Sequence, residues 1–343
     1  MPSWWIYPVL LSFLISLVLC DAGRALGRKW GYIDEPRVSR KKQKGGVSTL
    51  GGVAIFIAVS ISLIGVLLFS DALTMGTMIN FHFVGYLLGG LVLVVGGLVD
   101  DKFSLRARYS ILFPLAAALI AASFGIGVSK ITNPLGGFFE VGELISFAVT
   151  FAWLLGMTYV TKLLDGLDGL ASGVSSIAGL MMGFLALSVA FYQPDAALLS
   201  FLIVAAFLGF LVWNWSPASI YHGEAGSTFV GYSIGILAVI GGGKFATALL
   251  VVAIPLFDIL FVLWDRYRCG VPLFAGDRRH LHFRLRDLGL SVRSIVLIYY
   301  AVALIFGLSS LIFESWQKLI VLGLLFIGML AAIYYIQKCQ KKN

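Results

Sequence analysis

The sequence predicts an all-α integral membrane fold, one polytopic bundle of about 10–11 transmembrane helices formed by residues 1–343 as a single domain. Three observations predict it. First, 59% of the residues are hydrophobic and only 12% are charged, against roughly 25% charged in an ordinary soluble domain. Second, apolar runs of near-spanning length, roughly 17–25 residues, recur along the whole chain and leave no stretch long enough for a separate soluble domain. Third, the cations gather in alternate connections between those runs, as the positive-inside rule requires.

Taking Gly, Pro and charge clusters as punctuation, the reading places spans at about 4–22, 46–69, 82–99, 110–128, 144–160, 174–192, 196–213, 227–240, 245–263, 294–313 and 318–336. The first run has no Lys or Arg before it, and the first cation is Arg24. It therefore lacks the basic start of a cleaved signal and reads as a retained span with its N-terminus outside. The eighth run is short, so it tilts, thins the bilayer locally or extends beyond these bounds. From that start, segments 23–45, 100–109, 161–173, 214–226, 264–293 and the C-terminal tail face inward. They hold all 25 Lys and Arg except Lys130, Lys244 and Lys318. The expected setting is the cell inner (plasma) membrane with the polar loops in the cytoplasm. Cys20, Cys269 and Cys339 are isolated thiols with neither pair spacing nor a metal pattern.

Polar residues concentrate in five of the inward segments. The stretch Thr161-Lys162-Leu163-Leu164-Asp165-Gly166-Leu167-Asp168-Gly169-Leu170 sets two carboxylates three residues apart with a glycine after each. On a fraying helix end this spacing puts Asp165 and Asp168 on one face, and the glycines admit backbone or substrate. Acids at a membrane boundary cost free energy unless solvated, paired or used; an acidic interhelical loop is the plain alternative. The first inner loop carries Arg37, Arg40, Lys41, Lys42 and Lys44 ahead of Gly45-Gly46 and Gly51-Gly52. Such a cluster attracts anionic headgroups or a phosphorylated lipid, and glycines at a span start permit close helix packing.

Gly96-Gly97-Leu98-Val99-Asp100-Asp101 ends the third span. Adjacent side chains on a helix point about 100° apart, so one acid is expected to face a site while its neighbour pairs with Lys102 or Arg106. The segment Asn214 to Ser227 contains Gly223-Glu224-Ala225-Gly226-Ser227. Glu224 there offers oxygen to a hard cation such as magnesium, which takes one or two carboxylates together with substrate phosphates; a polar turn explains it equally. The last large loop, Asp277-Arg278-Arg279-His280-Leu281-His282-Phe283-Arg284-Leu285-Arg286, suits phosphate binding through guanidinium groups. Carboxylates for a metal or a proton, with cations for anionic oxygens, match phosphoryl transfer, where the protein positions reactants and offsets charge.

On GGLVDDKFSL, LLDGLDGLASG, GEAGSTFVG, PLFDILFV and DRRHLHFRL, in that order, the chain resembles the polyprenyl-phosphate N-acetylhexosamine-1-phosphate transferases, the superfamily of WecA, TagO and MraY. The resemblance covers about Asp34 to Leu290. It implies transfer of a sugar 1-phosphate from a UDP-sugar to a polyprenyl phosphate, release of UMP, and magnesium as cofactor. By position, Asp100 and Asp101 correspond to the paired acids, one of which deprotonates the lipid phosphate. Asp165 and Asp168 correspond to the acids near nucleotide and metal, and Glu224 to a metal-binding Asp. His280 and His282 match two His-loop positions, and Arg40 and Lys41 the basic pair of the first loop. Leu281 and Phe283, interrupting the His cluster, place the chain nearer WecA and TagO than MraY.

Departures from the pattern bear on the metal. Two Asn expected before DGLDGL are Tyr159 and Lys162, Gln43 stands near a usual His, and Phe283 sits where a third His is common. Lys162 puts an ammonium where a neutral ligand is expected. Either Glu224 and substrate phosphates hold the metal, or Lys162 itself supplies part of the missing charge.

The expected function is transfer of a HexNAc 1-phosphate, GlcNAc 1-phosphate above all, onto undecaprenyl phosphate or a similar lipid. Asp100 or Asp101 would be the base, with Glu224 and Asp165 or Asp168 at the metal or diphosphate. Arg278, Arg279, His280 and His282 would bind the donor. The expected partners are the lipid phosphate, the UDP-sugar, the membrane and a second copy in a homodimer, with no nucleic acid. A catalytically silent lipid-phosphate scaffold, a MraY-like phospho-MurNAc-pentapeptide transferase and a lipid-phosphate transporter are the competing readings. The transporter fits least, because the acids cluster at one face rather than near the midplane.

Overall fold

In a computed structural model the protein is described over residues 2–34, 46–76, 78–128, 130–132, 138–189, 192–241, 245–268, 270 and 280–340. Two small two-stranded antiparallel sheets and one isolated parallel bridge, Ser48 to Ile220, are the β-structure within these residues. Everything else that is regular is helical, as the sequence predicts.

After a 3-10 turn (Ser3–Trp5), α1 (Ile6–Trp30) runs to a left-handed Gly31. The hairpin β1 (Ile33–Asp34) and β2 (Val47–Ser48) leads into α2 (Gly51–Phe69). α3 (Asn80–Phe103), the short α4 (Ala107–Ser110) and α5 (Leu112–Ser123) follow, then the hairpin β3 (Lys130–Thr132) and β4 (Phe138–Glu140). α6 (Glu143–Leu164), α7 (Leu170–Leu187), α8 (Pro194–Asn214) and α9 (Gly223–Ile240) make the middle of the chain. α10 (Phe245–Val251), α11 (Ala253–Arg268), α12 (Leu281–Asp287), α13 (Val292–Ile312) and α14 (Ser315–Gln340) complete it.

Among the described residues, eight segments are long and apolar enough to cross a membrane, and the bent pair α10–α11 makes a ninth. The eleven predicted runs all contain helix, but the second becomes helical only at Gly51, after β2, and the eleventh is among the shorter apolar helices, over Trp316–Ala331; three more are adjusted. The eighth starts earlier than drawn, because Gly223 to Gly226 are already the first turn of α9. The ninth is not straight: α10 and α11 meet at 77°. Pro255 has no N–H for the carbonyl of Val251 and its ring crowds that carbonyl, which breaks the helix there. The fourth is shorter, its apolar helical stretch ending at Ser123.

α9 is the centre of the bundle. Every residue from Ala225 to Val239 is buried, and α2, α3, α6, α7, α8 and α10 all pack on it. A helix apolar on all sides belongs in such a position. Peripheral helices instead turn Leu14, Ile61 and Leu304 outward, which suits a lipid solvent. Association within lipid relies on close packing and polar bonds between helices. Ser12 and Ser16 of α1 donate to the carbonyls of Leu202 and Ala206 in α8, at 2.8 and 2.7 Å.

Glycine permits the closest approaches, and these determine where α9 begins. A Cβ on Gly52 of α2 would stand 2.1 Å from the backbone nitrogen of Gly226, and one on Gly97 of α3 would stand 2.2 Å from that of Ala225. The first turn of α9 is therefore wedged between the ends of α2 and α3, bringing Glu224 beside the two acids that end α3.

Candidate active site

Asp100 and Asp101 diverge as adjacent helical residues must. The Asp101 carboxylate accepts the Glu224 N–H, with its oxygens at 3.1 and 3.3 Å. An acid at a helix N-terminus meets an otherwise unpaired donor and the positive end of the helix dipole. Gly223, at φ 65°, makes this possible, since a Cβ there would lie 2.3 Å from Asp101 Oδ2. Asp100 turns to the other side of α3 and accepts from Leu105 N at 2.9 Å and Ser110 Oγ at 2.5 Å. Its expected pairing with Lys102 or Arg106 is thus corrected: a backbone amide and a hydroxyl hold it, fastening the turn into α4.

Asp165 and Asp168 do not share a helix face, as the spacing alone suggested. α6 ends at Leu164 with Asp165 as its cap, and the residues up to Gly169, which is left-handed, form a turn. The turn still aims both acids into one cavity. Asp165 Oδ1 meets His222 Nδ1 at 2.8 Å. Asp168 Oδ2 accepts from Ala218 N at 3.0 Å. Beside them, Gly169 N donates to Asn214 Oδ1 and Asn214 Nδ2 donates to the Ile220 carbonyl, each at 2.9 Å. The Tyr300 hydroxyl donates to the Gly169 carbonyl. The acidic turn is thereby stitched to the 214–222 segment.

Lys162 lies in the last turn of α6, and its Nζ sits 2.6 Å from Glu224 Oε2. Both side chains are partly exposed, at 26% and 34%, so the pair borders open space. That space is a cavity of about 700 Å³ whose wall includes Thr49, Asp101, Lys162, Asp165, Asp168 and Glu224. Asp100 instead lines a small recess behind it, shared with Glu224. Segments from four parts of the chain converge here, as the sequence reading requires.

The His loop reaches the same turn from another side. Asp258 of α11 takes His280 Nδ1 at 3.0 Å and the Leu281 N–H at 2.8 Å. His280 stacks on His282 with ring centroids 5.7 Å apart. His282 is 2% exposed, and a Cβ on Gly166 would lie 2.5 Å from its Nε2. Burial pushes this imidazole down from 6.5 to about 4; the Asp258 charge pulls it partly back up, and His280 pushes it further down. His282 is therefore a neutral ring packed against the acidic turn, while His280 is the more accessible of the two. Arg40, Lys41, Arg278 and Arg279 lie outside the described residues.

Magnesium can be tested against this donor set. Among the described residues, no three His, Cys, Asp or Glu side chains are grouped so as to hold a metal. Glu224, the acid singled out for it, is already met by an ammonium. Asp101 accepts from Glu224 N, Asp165 is bonded to His222, and Asp168 accepts from Ala218 N. A divalent cation beside Glu224 would stand against Lys162. A hydrogen bond does not bar a carboxylate from a metal, but the Lys162 ammonium does, and the arrangement does not fit a metal held through Glu224.

Sequence reasoning assigned no role to His222, Asn214, Asp258 or Tyr300. His222 and Asn214 were visible as polar residues in an inward segment, and Asp258 as an acid inside an apolar run, a placement that needs a partner. Tyr300 gave no signal within its span.

The model of glycosyl transferase family 4 matches residues 83–242. A probable undecaprenyl-phosphate N-acetylglucosaminyl 1-phosphate transferase of Bacillus subtilis (strain 168) is 33% identical over 330 residues, covering 93% of this chain and 88% of that protein. A decaprenyl-phosphate N-acetylglucosaminephosphotransferase of Mycobacterium tuberculosis (strain CDC 1551 / Oshkosh) is 29% identical, covering 89% and 81%. An undecaprenyl-phosphate alpha-N-acetylglucosaminyl 1-phosphate transferase of Escherichia coli (strain K12) is 26% identical, covering 85% and 80%.

Proposed function

Because the chain belongs to glycosyl transferase family 4, we propose that it transfers GlcNAc 1-phosphate from UDP-GlcNAc to a membrane polyprenyl phosphate, giving polyprenyl-diphosphate-GlcNAc and UMP. The observation that carries this reading is the single cavity joining Asp101, Lys162, Asp165, Asp168 and Glu224 at the ends of apolar helices. A lipid phosphate would enter from the bilayer side and a nucleotide sugar from water.

In the reaction, an oxygen of the lipid phosphate attacks the β-phosphorus of the donor. A new P–O bond forms, the bond from that phosphorus to the bridging oxygen breaks, and the electron pair leaves with UMP. Asp101 is the acid of the adjacent pair that lines the cavity, so it is the group to take a proton from the acceptor phosphate. Asp165 and Asp168 shape the floor. His222 orients Asp165, and the backbone of Ala218 orients Asp168. Asp258 holds His280 and the neutral His282 packs against the acidic turn at Gly166, from where His280 would meet the donor together with Arg278 and Arg279. Arg40 and Lys41 would draw the anionic lipid to the cavity mouth. The cavity faces the cytoplasm of a cell whose plasma membrane holds the bundle.

A donor screen tests the reading. Purified protein with polyprenyl phosphate and a panel of UDP-sugars should release UMP and form a chromatographable lipid product with UDP-GlcNAc. Binding of the lipid phosphate with no product from any donor would instead make the chain a lipid-phosphate scaffold.

A further inference from the structure

The cation in this cavity is part of the chain. Lys162 enters from the end of α6 and Glu224 from the first turn of α9, and they meet at 2.6 Å. The pair is partly exposed to the cavity, and Asp101, Asp165 and Asp168 line the same wall. An ammonium has three N–H donors, and an ion pair with one carboxylate oxygen leaves it donors for anionic oxygens. Glu224 therefore acts as a tether that keeps the long, rotatable lysine side chain at one point.

Phosphoryl transfer needs positive charge beside the transferring group, because charge builds on the leaving oxygen as the P–O bond breaks. Three ordered carboxylates in the same wall make an unneutralised diphosphate still less welcome. The described side chains do not gather as metal ligands, and the acid best placed to be one is held by Lys162.

We propose that Lys162, fixed by Glu224, is the catalytic cation that neutralises the donor diphosphate, so that transfer proceeds without a divalent metal. This rests on the transferase reading above. Lys162 would donate to oxygens of the diphosphate while the electron pair passes to UMP; it keeps its own proton and forms no covalent bond. The lysine is thus part of the reacting centre rather than a spectator ion pair.

The experiment measures UMP release and lipid product from purified protein with UDP-GlcNAc and polyprenyl phosphate, in excess EDTA and in excess magnesium. Wild-type turnover should persist in EDTA. Lys162→Met should lose about 10²–10³-fold in kcat, and Lys162→Arg, which keeps the charge, should recover part of it. A second readout needs no turnover: manganese(II) titrated into substrate-free wild type, followed by electron paramagnetic resonance, should remain free. The double variant Lys162→Asn/Glu224→Asp should acquire a bound manganese signal. Wild-type turnover abolished by EDTA and restored by magnesium would overturn the proposal while upholding the transferase reading, as would stoichiometric manganese binding at this cavity. No product in either buffer would overturn the transferase reading and the lysine's role with it.

Discussion

Asp100 and Asp101 are neighbours in sequence, yet their surroundings give them different work. Asp101 bridges from the end of α3 to the first amide of α9 and borders the cavity. Asp100 closes the turn into α4 through Ser110 and Leu105. Asparagine can still accept the Glu224 N–H but cannot act as a base at neutral pH. Asp101→Asn should therefore keep the fold while lowering kcat about 10²–10⁴-fold, seen as UMP release beside an unchanged unfolding temperature. Asp100→Ala leaves a backbone amide and a hydroxyl without their acceptor, so it should cost about 1–3 kcal/mol of stability, read in thermal unfolding. If Asp100→Asn abolished turnover in a stable protein while Asp101→Asn did not, the assignment of the base to Asp101 would fail.

Helices carry these residues to one place, and here the sequence and the structure part in instructive ways. The apolar runs and their glycines were readable because they obey local rules: length, periodicity and the small residues that close packing needs. That Gly52 and Gly97 wedge the start of α9 follows from the same logic. The Lys162–Glu224 pair was not readable as a pair, since the residues are far apart in the chain and nothing local aligns the end of α6 with the start of α9. The stretch holding Asp165 and Asp168 left a helix end and an interhelical loop both open, because a spacing of three is compatible with either; the structure makes it a turn. Asp258 stood out as an acid in an apolar run, but its partners, His280 and the Leu281 N–H at the start of α12, lie 22 and 23 residues away. The docking of α12 is pH-sensitive. His282 of α12 sits buried and neutral against Gly166, facing Asp258 and stacked on His280. Its proton affinity is lower in the fold, about 4 against 6.5, so the unfolded chain takes up a proton that the folded one refuses as pH falls. The stabilisation is present above about 6.5, drains away between there and about 4, and is flat below. At about 1.4 kcal/mol per unit the full effect is on the order of a few kcal/mol. Unfolding temperatures of wild type should fall more steeply from pH 7 to 4.5 than those of His282→Phe. Equal slopes would show that His282 does not report on the docking of α12.

At the scale of the whole molecule, the bundle must place the cavity of the candidate site on the side where its proposed substrates are. The cation asymmetry in the connections predicts that the cavity faces the cytoplasm, and the proposed nucleotide-sugar donor requires the same. α7 offers a ruler: it leaves the acidic turn at Leu170 and ends at Leu187, about 27 Å at 1.5 Å per residue, close to the thickness of the hydrocarbon core. The loop after it, where Val189 is fully exposed, therefore lies at the opposite face from the cavity. Ala107, exposed at the start of α4, lies just beyond the turn that Asp100 fastens, on the cavity side. In a cysteine-free background, Val189→Cys should react with a membrane-impermeant maleimide in intact cells. Ala107→Cys should react only once the membrane is opened. The reverse pattern would turn the bundle over and leave the cavity facing a compartment without its donor. Labelling of both positions in intact cells would mean that the helices between them do not cross the bilayer.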